Sequence, residues 1–379
     1  MNKFNFITAF SLIAFSILSS GCASSFERTK KHSDAKLIDN EFLVSFASCA
    51  KENRPQPIWT EIAKTNPDVF LFIGDNVYAD VYEKNGKRSM QPVETRERFD
   101  EAYAMANAIP EFAAFRKQVP MMLGTWDDHD YGANDAGKEF PLKKESQQAF
   151  LDFFEFADDD PIRQQEGIYH SRFVEDEGNT VQIIMLDTRY HRDPITKNPA
   201  GRPKNKGPYL QIDDPNATIL GEAQWQWLEE ELKKPADVRL IVSSIQVVAY
   251  EHSWESWGIF PHQRNKLYDM ITNTKANGVV FLTGDRHLME ISKDTGQLGH
   301  QVPYPLWDFT SSDIVRDFTE VNEDNSFRQG RVVRDTNFGE VKIEWADKLA
   351  DSVITLTARG RDGGVLNQQV VSLKDLQAF

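Results

Sequence analysis

The stretch PDVFLFIGDNVYAD, residues 67–80, joins a run of apolar residues to a polar cluster. Continuous apolar runs of about five residues that are rich in Val, Ile and Phe are typical of strands buried on both faces of a sheet. The polar residues Asp75, Asn76 and Tyr78 follow directly after this run. We therefore predict a buried strand whose carboxyl end presents polar side chains.

The same pattern recurs along the chain, and segments of helical character lie between its copies. The other apolar runs with polar ends lie in VPMMLGTWDDHD, VQIIMLDTRYHRD, VRLIVSSIQ and GVVFLTGDRH. The helical segments include TRERFDEAYAMANAIPEFAAFRKQ, KESQQAFLDFFEFA, GEAQWQWLEEELKK and PHQRNKLYDMITNTKANG. Strands that alternate with helices predict an α/β fold. In the C-terminal tail, residues 338–373, alternating apolar residues and a second apolar run predict an antiparallel end to the sheet system.

The length and charge of the chain limit the possible architectures and partners. A chain of 379 residues allows one large domain or two ordinary ones. No Pro/Ser-rich linker divides it after residue 40, so we predict a single catalytic domain over residues 41–379. The formal net charge of −15 argues against binding through a broad basic surface, and we expect no stable nucleic-acid partner. A phosphate-containing substrate stays compatible with this charge, because bound metal ions can supply positive charge.

Residues 1–21 have the features of a signal peptide. A cation near the N-terminus is followed by an apolar run too short to span a membrane comfortably, and small residues come next. The stretch LSSGC resembles a bacterial lipobox in which Cys22 would carry the lipid, although Ser19 stands where Leu is usual. Ordinary signal cleavage nearby is the alternative. We predict a lipoprotein-type signal peptide over 1–21 and a polar tether over 22–40, with the exported domain anchored to a membrane of the bacterial cell envelope.

The second of the two cysteines, Cys49, follows the apolar stretch FLVSFAS. If Cys22 carries lipid, Cys49 has no partner for a disulfide bond. A lone cysteine in an exported protein is then either buried as a small apolar residue or used as a metal ligand. Its place at a predicted strand end favours the second interpretation.

Polar residues follow five of the predicted strands, and small residues (Gly74, Gly124 and Gly284) precede three of these clusters. Loops at the carboxyl ends of strands converge in α/β sheets, and ligands bind there. The clusters are Cys49; Asp75, Asn76 and Tyr78; Asp127, Asp128, His129 and Asp130; Asp187, Arg189 and Tyr190; and Asp285, Arg286 and His287. Neighbouring carboxylates repel one another unless water screens them or a cation neutralises them. This collection of residue types indicates a site with more than one metal ion.

The chemistry of these side chains limits the choice of metal and reaction. Oxygen ligands suit hard cations such as Ca²⁺, Mg²⁺ or Mn²⁺, whereas anionic Tyr and Cys ligands suit a more acidic ion such as Fe³⁺. Two metal ions about 3.5–4 Å apart can hold an activated hydroxide and clamp the oxygens of a phosphate through in-line displacement. The clusters therefore predict chemistry on phosphate esters.

Seven motifs resemble, in the same order, those of the PhoD-type alkaline phosphatase/phosphodiesterase family of the metallophosphatase superfamily. They are SCA, GDNVYAD, TWDDHDYGAND, LDTRYHRD, GEAQWQWLEEEL, SWGIFPHQRNKL and LTGDRH, and they span roughly residues 42–371. The resemblance implies the calcineurin-like metallophosphatase fold, an α/β four-layer sandwich of two mixed β-sheets flanked by helices. It also implies a site that holds Fe³⁺ and Ca²⁺, related to that of the purple acid phosphatases.

The resemblance also implies roles for individual residues. Asp75 would bridge metals, Tyr78 would bind the iron, and Asp128 stands where the superfamily has a metal-binding Asn. His129 beside it would contact phosphate or act as an acid. The implied metal ligands are Cys49, Asp75, Tyr78, Asp128, Asn134, Asp285 and His287. The implied catalytic residues are His129, Arg286 and His287.

Structural roles stay open as alternatives for several of these residues. Cys49 would otherwise be a buried apolar residue, Tyr78 a packing residue and His287 a structural histidine. Asp130 and Asn134 are equally compatible with loop or helix-cap roles.

Two further features have predicted supporting roles. We expect Asp187 and Arg189 to form an internal ion pair that supports the site, and Asp127 to act either as a ligand or as a support. The aromatic segment AYEHSWESWGIF, residues 249–260, is either a mobile lid that shapes specificity or a Trp cluster packed on the sheet.

We therefore predict a membrane-anchored hydrolase that acts on phosphate mono- or diesters by means of a metal-bound hydroxide. His129 or His287 would bind phosphate or assist the leaving group. The expected cofactors are Ca²⁺ and Fe³⁺, or other divalent metals, and the expected substrate is a small-molecule phosphate ester. Two alternatives stay open. One is a diester-preferring enzyme, either phospholipase-like or nucleotide-directed, and the other is a catalytically silent lipoprotein that binds phosphate or metal.

Overall fold

The computed structural model describes residues 29–30, 41–297, 299–315 and 323–378. The strands are, in chain order, β1 (Thr29–Lys30), β2 (Glu41–Ala47), β3 (Val69–Ile73), β4 (Val81–Lys84), β5 (Lys87–Met90), β6 (Met122–Thr125), β7 (His170–Asp176), β8 (Asn179–Met185), β9 (Val238–Ser243), β10 (Val279–Thr283), β11 (Met289–Asp294), β12 (Leu306–Ser311), β13 (Arg328–Val333), β14 (Asn337–Glu344), β15 (Val353–Gly360) and β16 (Val365–Ser372). The α-helices are α1 (Ile58–Thr65), α2 (Arg96–Asn107), α3 (Pro110–Gln118), α4 (Asp128–Tyr131), α5 (Lys143–Phe153), α6 (Gly221–Lys233) and α7 (Pro261–Asn273). The predicted strands and the predicted helical segments are all present.

The strands form two large mixed sheets and a small hairpin of β4 and β5. One sheet has the order β1-β7-β8-β9-β10-β12-β11-β13, and the other has the order β16-β15-β14-β2-β3-β6. Strands β8, β9, β10 and β12 run parallel in the first sheet, as do β2, β3 and β6 in the second. Strands β14, β15 and β16 extend the second sheet in antiparallel fashion, which confirms the predicted antiparallel end.

Alternate residues of β3 enter two different hydrophobic cores. Val69, Leu71 and Ile73 belong to a core that includes strands of both sheets. Phe70 and Phe72 belong to a second core formed with α1, α2, α3 and α5. Because successive side chains of a strand point to opposite faces, β3 is covered by the other sheet on one side and by helices on the other. This arrangement accounts for its continuous apolar sequence.

Contacts across these cores define four layers. Phe46 of β2 meets Phe309 of β12 edge to face between the sheets, with ring centroids 4.9 Å apart. Trp59 of α1 packs on the outer side of the six-stranded sheet, with its ring 5.3 and 5.5 Å from the two Phe rings of β3. On the other sheet, Gln182 of β8 donates to the backbone carbonyl of Glu231 in α6 at 3.1 Å. The order of helices, sheet, sheet and helices confirms the predicted sandwich.

The carboxyl ends of the parallel strands in both sheets approach one another closely at one edge of the sandwich. A Cβ on Gly74 would lie 2.8 Å from the Cβ of Asp127 and 3.0 Å from the Cβ of Ser244. A Cβ on Gly284 would lie 3.0 Å from the carbonyl oxygen of Ile73. These two glycines therefore allow the strand ends of one sheet to approach those of the other.

The aromatic segment at residues 249–260 is mostly packed against the sheet. Trp257 and Phe260 are fully buried, and the indole of Trp257 donates to the hydroxyl of Ser243 in β9 at 3.0 Å. Trp254 is half-buried. The structure thus favours the packed cluster over the mobile lid.

The N-terminal predictions stay untested by the structure. The predicted signal peptide over 1–21 and the predicted lipidation site Cys22 lie outside the described residues, so the domain boundaries stay predictions. Within the described ranges, no helix combines the length and apolar character needed to cross a membrane.

Replacement of Gly74 by alanine tests the close approach of the strand ends. Gly74 has a φ of +110°, which strains any side chain, and its new Cβ would also collide with Asp127. We expect Gly74→Ala to lower the free energy of unfolding by roughly 2–3 kcal/mol, measured by urea denaturation. Gly178→Ala is the matched control, since Gly178 has a φ of +80° and open space around it. Equal losses in the two variants would show that crowding at Gly74 has no effect.

Candidate metal centre

Three overlapping groups of metal-binding side chains lie at the shared edge of the two sheets. Within each group, one potential ligand atom from each residue lies within 4.8 Å of the others. The groups are Cys49, Asp75 and His287; Asp75, Asp128 and His129; and Asp127, Asp128 and Asp285. Because Asp75 and Asp128 each belong to two groups, the residues form one continuous cluster. This cluster unites the ends of β2, β3, β6 and β10, as the sequence predicts.

The backbone turns sharply at four residues of the cluster. Cys49, Asp75, Asp285 and His287 have φ values of +61°, +50°, +67° and +50°. Side chains other than glycine rarely adopt this left-handed conformation, and each such residue costs about 1 kcal/mol or more. Strain of this kind concentrates at functional sites, because a fixed side-chain direction there matters more than local backbone energy.

Cys49 and Tyr78 both contact the carboxylate of Asp75. The Cys49 thiol donates to Asp75 Oδ2 at 3.4 Å, and the Tyr78 hydroxyl donates to the same oxygen at 3.0 Å. Burial raises the pKa of both groups well above their ordinary values, and the negative charge of Asp75 adds to the shift. In the absence of a cation both groups are therefore protonated. A metal ion at Asp75 would compete for the positions of these two protons.

Two buried carboxylate oxygens identify where a cation fits. Within the three ligand groups of the described residues, Asp127 Oδ2 and Asp128 Oδ1 are the buried carboxylate oxygens without a hydrogen-bond partner. Burying a carboxylate oxygen without a partner is unfavourable. Both residues belong to the oxygen-only group that Asp285 completes. The donor set of this group therefore suits a hard cation.

The electrostatics of the cluster lead to the same conclusion. Burial raises the pKa of Asp75 well above its ordinary value, and the charges of Asp128 and Asp127 add to this shift. Burial raises the pKa of Asp285 as well, with a further contribution from Asp127. Burial would also raise the pKa of Asp128. The positive charges of His129 and Arg189 nevertheless lower this pKa to about 2. The carboxylates oppose one another's ionisation, and bound cations would remove this opposition.

Arg189 is the cation that holds Asp127 in the cluster. Its guanidinium binds Asp127 Oδ1 through both Nε, at 2.7 Å, and Nη2, and it contacts Glu255 Oε2 through Nη1 at 2.8 Å. Ser244 donates to the same oxygen of Asp127 at 2.7 Å. One oxygen of Asp127 is thus fully bound by protein groups, which leaves the other for a ligand. Burial raises the pKa of Asp127 to about 6, even though Arg189 lowers it.

The predicted ion pair between Asp187 and Arg189 is wrong. Asp187 instead accepts hydrogen bonds from the Trp126 indole at 2.9 Å and from backbone N–H groups of Ile168, Arg189 and Tyr190 at 2.8 to 2.9 Å. These donors already stabilise the Asp187 carboxylate, so the Arg189 side chain is directed to Asp127. Asp187 and Arg189 therefore support the site separately, each through its own hydrogen-bond network.

His129 belongs to the cluster and is oriented by Asp80. Its Nδ1 lies 2.7 Å from Asp80 Oδ1, and its ring stacks on that of Tyr78 with centroids 4.1 Å apart. Burial would lower the pKa of His129, but the carboxylates of Asp128, Asp75 and Asp80 raise it well above its ordinary value. In the metal-free protein these carboxylates therefore favour the charged form of the imidazole.

Two residues of this site were missed at the sequence level. Asp80 orients His129, and it lies five positions after Asp75 in the same motif. Lys51 is buried, with its ammonium 4.9 Å from the centre of the Tyr78 ring. It lies two positions after Cys49. Both residues could be found from the sequence, because each is a charged residue close to a candidate metal ligand and near a strand end.

The side chains of two predicted site residues, Asn134 and Arg286, bind partners outside the three ligand groups. Asn134 is exposed, and its amide donates to Asp135 at 2.5 Å. The loop reaches the cluster instead through the backbone N–H of Asp135, which donates to Asp128 Oδ2 at 2.7 Å. Arg286 donates to Glu323 at 2.8 Å.

Asp130 has a structural role in this arrangement. It accepts the backbone N–H of Asp127 at 2.6 Å and that of Asn76 at 3.0 Å. Asp127 and Asp130 form a reciprocal capping box at the start of the short helix α4. The structure therefore supports the cap interpretation of Asp130.

Comparison with known proteins gives a family match for this chain. Residues 42–349 match a family model described as PhoD-like phosphatase. The chain is also similar to alkaline phosphatase D of Bacillus subtilis (strain 168), with 27% identity over 281 residues. This match covers 65% of the chain but only 46% of that protein, so the chain spans about half the length of its curated relative.

Solved structures share the fold at low sequence identity. A structure of PhoD has a TM-score of 0.66 and 19% identity, and the match covers 88% of this chain and 68% of that one. The purple acid phosphatase PPD1 from seeds of yellow lupin (Lupinus luteus) has a TM-score of 0.57 and 15% identity, with coverage of 88% and 54%. The family match covers most of the chain and includes every residue of the three ligand groups, so the chain belongs to the PhoD-like phosphatase family.

Proposed function

We propose that this protein is a metal-dependent hydrolase of phosphate esters. The observation that carries the proposal is the continuous cluster of metal-binding side chains, in which two buried carboxylate oxygens have no protein partner among the described residues. Membership in a phosphatase family and the shared fold of a purple acid phosphatase support the same reaction class. The net charge of −15 is compatible with a phosphate substrate, because cations bound in the cluster would supply positive charge there.

The donor types divide the cluster into two chemically different parts. Cys49 and His287, with the adjacent Tyr78, offer sulfur, nitrogen and phenol ligands around Asp75, which supports Fe³⁺ there. The group around Asp128 that contains Asp127 and Asp285 offers only oxygen, which supports Ca²⁺. When bound, such ions would supply Lewis-acid stabilisation of phosphate charge and an activated hydroxide at neutral pH.

The protein groups around the cluster would prepare the reaction. Asp80 holds Nδ1 of His129, so Nε2 is the nitrogen available to the substrate. A protonated imidazole there can stabilise a phosphate oxygen or donate a proton to the departing alkoxide. Arg189 fixes one oxygen of Asp127, and the N–H of Asp135 fixes one oxygen of Asp128. Both ligands are therefore oriented before substrate binds, which lowers the reorganisation needed in the transition state.

Hydrolysis of two matched esters tests the proposal. Purified protein would be assayed with p-nitrophenyl phosphate and bis(p-nitrophenyl) phosphate in Ca²⁺ plus iron, with and without chelator. We expect chelator-sensitive turnover of at least one ester, and the ratio of the two rates separates a monoesterase from a diester-preferring enzyme. Turnover of neither ester would instead support a silent metal- or phosphate-binding protein.

The absorption spectrum of a Tyr78 variant tests the identity of the metal. A tyrosinate bound to Fe³⁺ absorbs visible light, so we expect the purified protein to be coloured. Tyr78→Phe should lose most of this band, because it lacks the phenolic oxygen that lies 3.0 Å from Asp75. Tyr103→Phe is the matched control, since Tyr103 is also buried but belongs to the helical core. An active, colourless and iron-free parent protein would contradict the assignment of Fe³⁺.

Replacement of Asp80 tests the role of His129. The carboxylates of Asp128, Asp75 and Asp80 raise the pKa of His129 and so favour the imidazolium, whose charge is lost as pH rises through that pKa. Asp80→Asn removes one of the charges that raise it, so we expect kcat at pH 8 to fall about tenfold. The alkaline limb of the kcat profile should move to lower pH. The matched control is Asp176→Asn, at a buried Asp that accepts a hydrogen bond from Trp345. An unchanged profile in Asp80→Asn would contradict the assigned role of His129.

We also propose that the protein is exported and held at a membrane through lipid on Cys22. The apolar run and the LSSGC sequence support this localisation. Full-length protein should partition into the detergent phase after expression in bacteria, and Cys22→Ser should partition into the aqueous phase. Equal partitioning of the two proteins would contradict the lipid anchor.

A further inference from the structure

A basic loop at residues 194–212 contrasts with the acidic character of the rest of the chain. It contains four cations and no Asp or Glu, in a protein of net charge −15. The cations are Lys197, Arg202, Lys204 and Lys206, and all four are exposed. Among the residues that the structure describes, none of the four forms an ion pair with a carboxylate. Their charge is thus available to a ligand.

Backbone and side-chain contacts fix the basic loop beside the metal centre. Gly207 N–H donates to the carbonyl of His252 at 2.6 Å, and Tyr209 N–H donates to the carbonyl of Ser253 at 3.1 Å. The Tyr209 hydroxyl also donates to the carboxylate of Asp135. The N–H of Asp135 in turn holds the cluster residue Asp128 at 2.7 Å. The loop is therefore two contacts away from a metal-binding carboxylate.

A second route connects the loop to the cluster through stacked side chains. The guanidinium of Arg202 lies 4.6 Å from the ring of Trp254, and that of Arg286 lies 4.7 Å from the same ring. Trp254 and Arg286 both donate to Glu323 Oε1 at 2.8 Å, which fixes the ring and the inner guanidinium. Arg286 directly follows Asp285 in the chain. Arg202 is thus the outermost residue of a series of contacts that starts beside the metal ligand Asp285 and passes through Arg286 and Trp254.

This arrangement suits an anion that lies outside the reacting phosphate. Arg is well matched to phosphate because its planar guanidinium donates two parallel hydrogen bonds, and stacking on an aromatic ring restricts its motion. Glu323 neutralises the inner Arg286, whereas Arg202 and the loop lysines keep their charge. The positive charge therefore lies at the rim of the site and not at its centre.

We infer that the basic loop forms a subsite for a second anionic group on the substrate. The inference rests on the proposed hydrolase function and narrows its substrate class to phosphate esters whose leaving group carries a further phosphate. Arg202 is the residue that binds this second phosphate, Lys206 adds charge beside it, and Trp254 positions the guanidinium.

A pair of matched substrates tests the subsite. Propyl phosphate and 1,3-propanediol bisphosphate differ by one phosphate, and released inorganic phosphate measures the turnover of both. We expect the wild-type protein to have the higher kcat/KM, per reacting phosphate, for the bisphosphate. In the double variant Arg202→Gln, Lys206→Gln the ratio of the two kcat/KM values should fall about fourfold, since each exposed charge contributes a factor of roughly two. Added salt should also lower the wild-type ratio, because it screens exposed charges.

A double variant at the opposite edge of the sheets is the control. Lys117→Gln, Lys233→Gln removes two exposed cations that lie shortly before the parallel strands β6 and β9. We expect it to keep the wild-type ratio. A ratio of one in the wild-type protein, or equal ratios in the wild type and the loop variant, would overturn the subsite. Failure to hydrolyse propyl phosphate, the bisphosphate and p-nitrophenyl phosphate alike would instead refute the hydrolase function on which the subsite depends.

Discussion

Asp75→Asn is expected to lower kcat for p-nitrophenyl phosphate by about three orders of magnitude, which corresponds to roughly 4 kcal/mol of transition-state stabilisation. Asp75 is the residue that joins the Cys49–His287 group to the Asp128–His129 group. An amide is a weaker ligand and carries no charge, so both groups would lose their shared anion. The variant should also bind less metal than the wild-type protein, as measured by elemental analysis.

The fold should survive the Asp75 substitution. Burial raises the pKa of Asp75, and a neutral amide removes the repulsion that Asp128 and Asp127 exert on it. We therefore expect the free energy of unfolding of the metal-free protein to be unchanged or higher. Asp68→Asn is the matched control, since Asp68 precedes the same strand and accepts the N–H of Leu43 at 2.9 Å. An Asp75→Asn variant as active as the parent would contradict the assigned metal centre.

Arg189→Met is expected to lower the free energy of unfolding by about 3–5 kcal/mol, measured by urea denaturation at pH 8. Arg189 is fully buried, and its loss leaves the buried carboxylate of Asp127 without a cationic partner and that of Glu255 with Arg192 alone. Activity should fall as well, because Asp127 loses the group that orients it. Arg189→Lys keeps the positive charge but lacks the several N–H donors with which the guanidinium binds both carboxylates. We expect its loss of unfolding free energy to be intermediate.

The stability loss in Arg189→Met should depend on pH in a defined direction. Without the guanidinium, the folded-state pKa of Asp127 rises further above its unfolded value than the wild-type value of about 6. A carboxyl with a raised folded-state pKa destabilises the fold as pH rises, so the deficit should be larger at pH 8 than at pH 5. Arg96→Met is the control, since it breaks exposed ion pairs with Asp100 and Asp152 and should cost less than about 1 kcal/mol. Equal losses in the Arg189 and Arg96 variants would show that the buried network has no special role.

The sequence was most informative where one physical rule governs a residue. Strand β3 could be predicted because both of its faces are buried, which requires a continuous apolar run such as Val69–Ile73. The convergence of Cys49, Asp75 and Asp285 followed from the rule that the carboxyl ends of parallel strands share an edge. These predictions needed no knowledge of loop conformation.

Partners between distant loops could not be predicted in the same way. Nearness in sequence predicts an ion pair between Arg189 and Asp187, but backbone donors occupy Asp187 and the guanidinium reaches Asp127 instead. Asn134 lies in the right motif, yet its side chain is exposed and the adjacent Asp135 reaches the cluster through its backbone N–H. Such contacts depend on the detailed path of each loop, and residue type alone does not determine that path.

Elemental analysis of the purified protein, combined with chelation and an ester assay, tests the metal centre most directly. Wild-type protein prepared without added metal should contain about two metal ions per chain. Chelator should remove the ions and the hydrolysis of p-nitrophenyl phosphate together, and metal addition should restore both. A protein that contains no metal and hydrolyses the ester at the full rate would contradict the metal centre proposed at Asp75 and Asp128.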